Sequence, residues 1–472
     1  MKAEELKKTA RGKIVLIVIA VFLCNFVTRG VTLAIHFGDR QFMMDGDGED
    51  YYDIAMNLYS GFGFAQTVSP KDGSRAFTEP TARRPPLYPL FACATFYLGE
   101  FVGWGGVVFP TIIIQIFMDS LTAVLACLIA RELAGWRAGL IAGLLYGLNL
   151  QLAKFPAQFM SETLFTLLQT GGMLMLLRGV SISFINAGQS DESRSLRQRR
   201  RHLFFFAGAG LLLGLATLTR PIILLFPGVA AAWLVLRNGK EWKQTLPTLA
   251  VLLGSFVLCL VPWMARNKTA LEKFVVVSTV GGQTFFHSNH NSSNGAWVPI
   301  EIPADAKGLT EPDLDAYYYR KGFEFIFSHP LTSLKNFIKK VLRLYYAFYP
   351  EYDWYFGISI CLILPGLWLW IQSCGQAEGE GHLKAAVTSP GSLLLLLVIY
   401  TTVLCAIFWG QPRFRAPFMP CLLGFAGYYL AQIPALENKK KHLIYTAAAV
   451  MMNVLIALLA EPIRMGLEKI TG

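Results

Sequence analysis

Long apolar stretches alternate with short polar connections along most of this chain. Runs near the length needed to cross a bilayer, roughly 20 residues, recur at 14–35, 108–130, 138–153, 159–177, 203–219, 221–236, 246–264, 355–372, 391–409, 416–434 and 443–460. The pattern predicts an all-α polytopic membrane protein with about eleven transmembrane helices. Two longer polar stretches, 38–104 and 267–352, interrupt it and divide the chain into a module over 1–266, a polar insert over 267–352 and a membrane segment over 353–472. Within the first stretch, Tyr51, Ile54, Ala55 and Leu58 recur at helical spacing, as do Leu90, Phe91, Ala94 and Leu98. Both sets predict amphipathic helices lying on the membrane surface. The insert is rich in Gly, Asn and Ser over 281–295, then helical and aromatic from Asp315 to Tyr349. It is expected to fold back over the membrane, with Tyr345, Tyr346, Tyr349, Tyr352, Trp354 and Tyr355 forming an interfacial aromatic belt.

Composition agrees with the pattern. Charged residues make up 15% of the chain and mean hydropathy is +0.44, whereas soluble proteins carry about a quarter charged residues. The net charge of +11 could suggest nucleic acid, but the basic residues lie in short runs beside apolar spans and no nucleic-acid signature accompanies them. Lys2 to Lys13, Arg194 to Arg201, Arg237 to Lys243 and Lys439 to Lys441 are instead expected to mark the cytoplasmic side. That orientation puts the 38–104 loop and the 267–352 insert outside the cytoplasm. Reading 87–101 as a span would reverse the side of the Arg194 to Arg201 run, which favours the surface reading. The first span is expected to be a retained signal anchor ending at Arg29, since no small-x-small cleavage site follows it. The eight cysteines are scattered without CxxC spacing, so they indicate neither metal nor redox work.

Chemistry concentrates in the first loop, where Asp45, Asp47, Glu49, Asp50 and Asp53 sit at one end and Arg83-Arg84-Pro85-Pro86 at the other. Charges near lipid are costly and need a reason. An EF-hand is excluded because its sixth position is Asp50 instead of Gly and its twelfth is Met56 instead of Glu. Arg83 and Arg84, held extended before proline at the depth of lipid phosphates, suit phosphate oxygens. Ser161-Glu162, Arg220-Pro221, the Trp263 to Arg266 stretch and Arg413-Phe414-Arg415 end other spans on the same outer face, so a single site is expected there. Asp119, inside a span without an obvious charged partner, reads as a buried hydrogen-bonding or packing residue. His287 and His290 read as polar loop histidines, because one pair without a carboxylate is a weak metal signal. Asn267-Lys268-Thr269 and Asn291-Ser292-Ser293 are glycosylation sequons, relevant only in a eukaryotic secretory compartment.

The spacing Asp47-x-x-x-Tyr51-x-x-x-Ala55-x-Asn57-Leu58-x-x-Gly61-x-Gly63-Phe64, followed by Arg84-Pro85-Pro86-Leu87-Tyr88-Pro89, resembles the first extracytoplasmic loop of GT-C type glycosyltransferases. The branch is that of the protein O-mannosyltransferases and the lipid A aminoarabinose transferase. Ser161-Glu162-Thr163-Leu164-Phe165, the Gly214 to Pro221 stretch, Pro262-Trp263-x-x-x-Asn267 and Arg413-Phe414-Arg415-x-Pro417 extend the likeness over most of the chain. The resemblance implies a GT-C fold and an enzyme that passes a sugar from a polyprenyl or dolichyl phosphate, with inversion, to an extracytoplasmic lipid, glycan or protein hydroxyl. It implies Asp47 as general base, with Arg84, Arg83, Arg266, Arg413 and Arg415 as candidates for the donor phosphate. Glu162, Tyr51 and Tyr88 are candidates to orient the sugar. The family's second acidic residue after the aspartate is Gly48 here, so no metal ligand set is expected; no cofactor is required, although a divalent metal would be compatible.

Two other readings compete. A flippase for lipid-linked sugars would share the cations but would need no base, and it would favour repeat symmetry and mid-membrane polar residues; no repeat is visible. A non-catalytic GT-C scaffold is the third. The expected location is a bacterial inner membrane with the site facing the periplasm, with the endoplasmic reticulum as the alternative.

Overall fold

The computed structural model describes residues 2–69, 75–104, 106–185, 192–346, 353–378, 381–459 and 461–462. Among the described residues the regular structure is helical apart from one two-stranded hairpin. Six helices among the described residues are long and apolar enough to cross a membrane, or seven if the bent pair His382–Thr388 and Ser392–Ile407 is one span. The remaining expected spans lie on helices that are shorter, merged with a neighbour or, for Glu192–Thr217, charged over the first half, so the count of eleven is not fixed by length and composition alone.

One merged case shows how the sequence places a turn. Val108–Gly147 would be too long for a single span, since 40 residues extend roughly 60 Å against a hydrocarbon core of about 30 Å. It breaks at Ala134 (φ −151°) and Gly135 (φ 79°, ψ −176°), the latter a conformation suited to glycine. Beyond the break the chain runs back on itself: a Cβ on Gly139 would lie 2.7 Å from the carbonyl oxygen of Cys127. The result is an antiparallel helical hairpin, in line with the separate stretches expected at 108–130 and 138–153.

This hairpin is the hub of the bundle, packing against Lys2–Ile35, Glu162–Ile185 and Met419–Gln432. Lipid tails are as apolar as the side chains, so close backbone approach and polar pairing hold such helices together more than burial does. Arg29 and Asp119 supply the polar pairing. Arg29 is fully buried; its Nε donates to Asp119 Oδ2 at 2.7 Å. Tyr146 Oη donates to Asp119 Oδ1 at 2.6 Å, Asn25 reaches the same carboxylate, and Arg29 also donates to the carbonyls of Tyr146 and Gly147. Thus Asp119 is a buried hydrogen-bonding residue as expected. The charged partner that the sequence did not reveal is Arg29, which lies inside the Lys2–Ile35 helix instead of ending it.

The outer layer is built from the two polar stretches. Helices Gly48–Tyr59 and Leu87–Val102 form where the apolar spacing predicts them. Between them runs the antiparallel hairpin Ala65–Val68 with Phe77–Pro80, in register Ala65 to Pro80 and Val68 to Phe77, which the sequence pattern did not announce. The insert supplies Gly281–His287, Glu311–Ser328 and Pro330–Tyr345. The last is strongly amphipathic: Leu331, Leu334, Ile338 and Leu342 form an exposed stripe, while Asn336, Lys340 and Leu344 are buried. Such a helix suits the membrane surface. Of the expected aromatic belt, Tyr349 and Tyr352 lie outside the described residues, as does the end of the insert at 347–352.

Candidate active site

Asp47 occupies the N-cap position of the Gly48–Tyr59 helix, yet its side chain makes no capping hydrogen bond. An aspartate there ordinarily accepts from the first-turn amides. Here the carboxylate is turned outward to two guanidinium groups: Arg84 Nη2 donates to Oδ1 at 2.9 Å, and Arg413 Nη2 lies 3.5 Å from Oδ2. The flanking glycines permit this. Gly46 has φ 66°, and a Cβ on Gly48 would come within 3.2 Å of the carbonyl oxygen of Phe159. Gly48 thus stands where the Phe159 backbone leaves little room for a side chain.

Arg84 is a hub. Its Nη2 also donates to Asp50 Oδ2 at 2.6 Å, and the guanidinium lies 5.4 Å from the Tyr51 ring centroid. The extended corner before Pro85-Pro86 is pinned from the insert, because Glu311 accepts from Thr81 Oγ1 at 2.6 Å, from the Ala82 amide at 2.8 Å and from Thr279 Oγ1 at 2.5 Å. Arg83 pairs with Asp50 at 3.3 Å and is nearly half exposed.

These groups open onto a cavity of about 910 Å³. Its wall carries six cations (Arg83, Arg84, Lys154, Arg220, Arg413, Arg415) against three carboxylates (Asp45, Asp47, Asp353), so the field inside favours an anion. Burial alone would raise the Asp47 pKa, but the guanidinium groups of Arg84, Arg413 and Arg220 outweigh it and hold the carboxyl down at about 2. It is a carboxylate at any physiological pH.

The expected site residues separate into three groups. Asp47, Tyr51, Arg83, Arg84, Arg413 and Arg415 line the cavity. Arg415 is nevertheless engaged at the far wall, donating to Asp353 Oδ2 at 3.1 Å and to the Tyr346 carbonyl, with its guanidinium 3.9 Å from the Phe356 centroid. Glu162 and Tyr88 lie behind the wall. Glu162 is 2% exposed, with Oε1 2.6 Å from Arg220 Nη1. The same Arg220 nitrogen donates to Ser161 Oγ at 3.2 Å, so one guanidinium bridges Ser161 and Glu162. Tyr88 is fully buried, donates to Gln115 Oε1 and packs edge-on to Tyr51. Arg266 stands apart from the cavity lining, where its guanidinium fastens the first loop through the carbonyls of Thr81 at 2.7 Å and Phe64 at 2.5 Å.

Arg220 is the cavity residue that sequence reasoning noticed as a span end without giving it a site role. Its signal was present in the Arg-Pro that ends an apolar span. Among the described residues, no group of three or more His, Cys, Asp or Glu side chains is arranged to hold a metal ion. His287 is buried against Trp297 and Tyr318, where desolvation holds its imidazole down at about 4, and His290 accepts from the Ser292 amide.

No family model matches the sequence, and no curated protein matches it. Solved structures do match in fold. The oligosaccharyltransferase of Archaeoglobus fulgidus in complex with zinc and sulfate aligns with 94% of this chain and 51% of its own, at 14% identity and a TM-score of 0.52. ArnT of Cupriavidus metallidurans bound to undecaprenyl phosphate aligns with 98% of this chain and 73% of its own, at 15% identity and a TM-score of 0.50. The chain spans about half the length of the oligosaccharyltransferase it matches. At these identities the likeness establishes the architecture, which is that of a GT-C type polytopic membrane protein.

Proposed function

We propose that this chain is a glycosyltransferase that moves a sugar from a polyprenyl or dolichyl phosphate to an acceptor hydroxyl outside the cytoplasm, with inversion and with Asp47 as general base. The observation that carries the reading is the carboxylate of Asp47 held beside Arg84 and Arg413 on the wall of an electropositive cavity. A flippase would need the cations but not the poised carboxylate, and a scaffold would need neither.

In the proposed reaction the acceptor oxygen attacks the anomeric carbon and its proton passes to Asp47. The bond from that carbon to the phosphate oxygen breaks, and the phosphate leaves with the electron pair. Proton transfer to a positioned base is typically worth about 10²- to 10⁴-fold. The charge growing on the phosphate is stabilised by Arg84, Arg413 and Arg220, and fixed cations in a water-poor site contribute most where charge develops. Arg83 lies at the rim. Arg415, Arg266, Glu162 and Tyr88 act as supports: Glu162 fixes Arg220, Tyr88 backs Tyr51, and Arg266 holds the loop.

A carboxylate with a pKa near 2 is a poor base before a donor binds. A bound phosphate would share the same guanidinium groups, weaken their hold on Asp47 and raise its basicity, so donor binding prepares the base. The arginines supply the cationic charge that a metal would otherwise provide, and the proposed chemistry requires no cofactor. Val280, Gln283, Thr284 and Trp297 of the insert line the cavity and are suited to select the acceptor; whether that acceptor is lipid, glycan or protein is a matter for assay. The proposed setting is a multi-pass protein of a bacterial inner membrane with this cavity facing the periplasm.

Donor-phosphate binding tests the clamp. Binding of undecaprenyl phosphate to the purified chain should weaken at least about tenfold in Arg84→Ala and in Arg413→Ala, the range expected for losing one charge-assisted contact. Unchanged affinity in both variants would remove the phosphate from this cavity.

A further inference from the structure

A second cavity, of about 390 Å³, lies at the other end of the bundle, lined by Arg131, Glu132, Arg178, Ser181, Ile182, Arg201 and Phe205. Its position follows from the helices. Glu162 opens the Glu162–Ile185 helix beside the first cavity, and Arg178 is sixteen residues further on, roughly 24 Å along the axis. Arg131 and Glu132 occupy the last turn before the Ala134–Gly135 reversal. Arg201 lies on Glu192–Thr217, the helix that leads back toward Arg220.

Three guanidinium groups and one carboxylate line this cavity. Arg178 Nε donates to Glu132 Oε1 at 3.0 Å, while Arg131 Nη1 is 4.0 Å from the same oxygen and its guanidinium sits 4.5 Å from the Trp136 centroid. Arg201 is exposed and lies 5.8 Å from the Phe205 centroid. One carboxylate shared by two arginines, with a third alongside, leaves an excess of positive charge, and the neighbouring Arg197, Arg199 and Arg200 add to it. An orienting basic run needs no cavity; this one has a cavity whose charged side chains are partly exposed and whose apolar lining is the half-buried Ile182 and the buried Phe205, with the exposed Phe204 next in sequence. Basic pockets between membrane helices on the cytoplasmic side bind anionic headgroups.

We propose that this cavity is a binding site for a phosphate group, held by Arg131, Arg178 and Arg201, and that the group is the headgroup phosphate of an anionic phospholipid whose acyl chains run down past Ile182 and the exposed Phe204. The site is separate from the reacting cavity and does not depend on what that cavity does.

The test uses the full chain in neutral detergent, titrated with phosphatidylglycerol, phosphatidylcholine or inorganic phosphate and followed by the midpoint of thermal unfolding. Phosphatidylglycerol should give a saturable upward shift, phosphatidylcholine should not, and Arg131→Gln with Arg178→Gln should weaken the response by about fivefold or more per arginine removed. Glu132→Gln removes the competing carboxylate and should tighten binding, an effect opposite to simple damage. If the double variant does not fold, Arg201→Gln, on an exposed side chain, should still weaken the response. An equal saturable shift with inorganic phosphate would support the phosphate site and assign it to the free anion. The proposal is overturned by an unchanged phosphatidylglycerol response in the arginine variants, by no response in the wild type, or by weaker binding in Glu132→Gln.

Discussion

Asp47 gives up a capping hydrogen bond to face Arg84 and Arg413, and the chemistry proposed here rests on that exchange. Its pH behaviour follows. The folded carboxyl titrates below its ordinary 3.8, so its ion pairing contributes to stability fully above that value and is lost as pH falls toward about 2. In the free enzyme the acidic limb of kcat/KM from this group should therefore lie near pH 2. In the donor complex, where phosphate draws on the same arginines, the limb of kcat should lie at higher pH; coincident limbs would argue against the shared clamp. A second prediction concerns Arg29 and Asp119. Breaking a buried pair costs about 3–5 kcal/mol, so Asp119→Ala should lower the thermal midpoint sharply while leaving donor binding to the remaining folded protein intact. The family resemblance singled out Asp47 and Arg84, through the register from the aspartate to Tyr51 and Ala55, where the residues by themselves left several carboxylates open. The same one-dimensional reading could not show that Arg266 turns to backbone carbonyls, or that Arg29 reaches Asp119 across ninety positions. Side-chain direction at a span end is decided by packing.

At the scale of elements, the candidate site depends on supports that come from the insert. Glu311 binds Thr81, Ala82 and Thr279, and so holds the Arg83-Arg84 corner from a helix far away in sequence. Glu311→Ala should cut activity by about tenfold or more through loss of charge-assisted hydrogen bonds, with helix content unchanged by circular dichroism and a partial return in Glu311→Gln, which keeps acceptor oxygen. Lys340 offers a parallel case on Pro330–Tyr345. It is buried, with Nζ donating to Asn289 Oδ1 at 2.8 Å and to the Ile407 carbonyl at 2.9 Å, and desolvation lowers its pKa to about 7. The bond to Ile407 ties the insert to the segment that leads into Arg413, and the bond to Asn289 joins two parts of the insert. Helices Gly48–Tyr59 and Leu87–Val102 were legible because their apolar residues repeat at 3.6. The Ala65–Val68 hairpin was not, since each strand has four residues and the second is exposed throughout, leaving no alternation to read. The long Val108–Gly147 element shows that two adjacent apolar stretches can be one helix in assignment and a reversing pair in space.

For the molecule as a whole, the hydrophobic pattern supplied the class, and the likeness to GT-C structures supplies the arrangement of helices. Two cationic cavities occupy opposite ends of the bundle, one proposed for a donor phosphate and one for a structural lipid. Orientation links them to the basic runs. A cysteine introduced at position 47 should react with membrane-impermeant reagents from outside the cytoplasm only, and labelling from the cytoplasmic side alone would overturn both the topology and the proposed reaction. In the proposed reaction the arginines supply the cationic charge, so treatment with a chelator should leave transfer unchanged. The most direct measurement is sugar transfer from radiolabelled polyprenyl-phosphate sugars into native membrane acceptors, comparing wild type with Asp47→Asn at matched expression and stability. Transfer by the wild type, with a loss of about 10²-fold or more in the variant while donor binding is retained, is the predicted result. Equal transfer by the two proteins would place the base elsewhere, and no transfer by the wild type from any donor in competent membranes would contradict the glycosyltransferase reading.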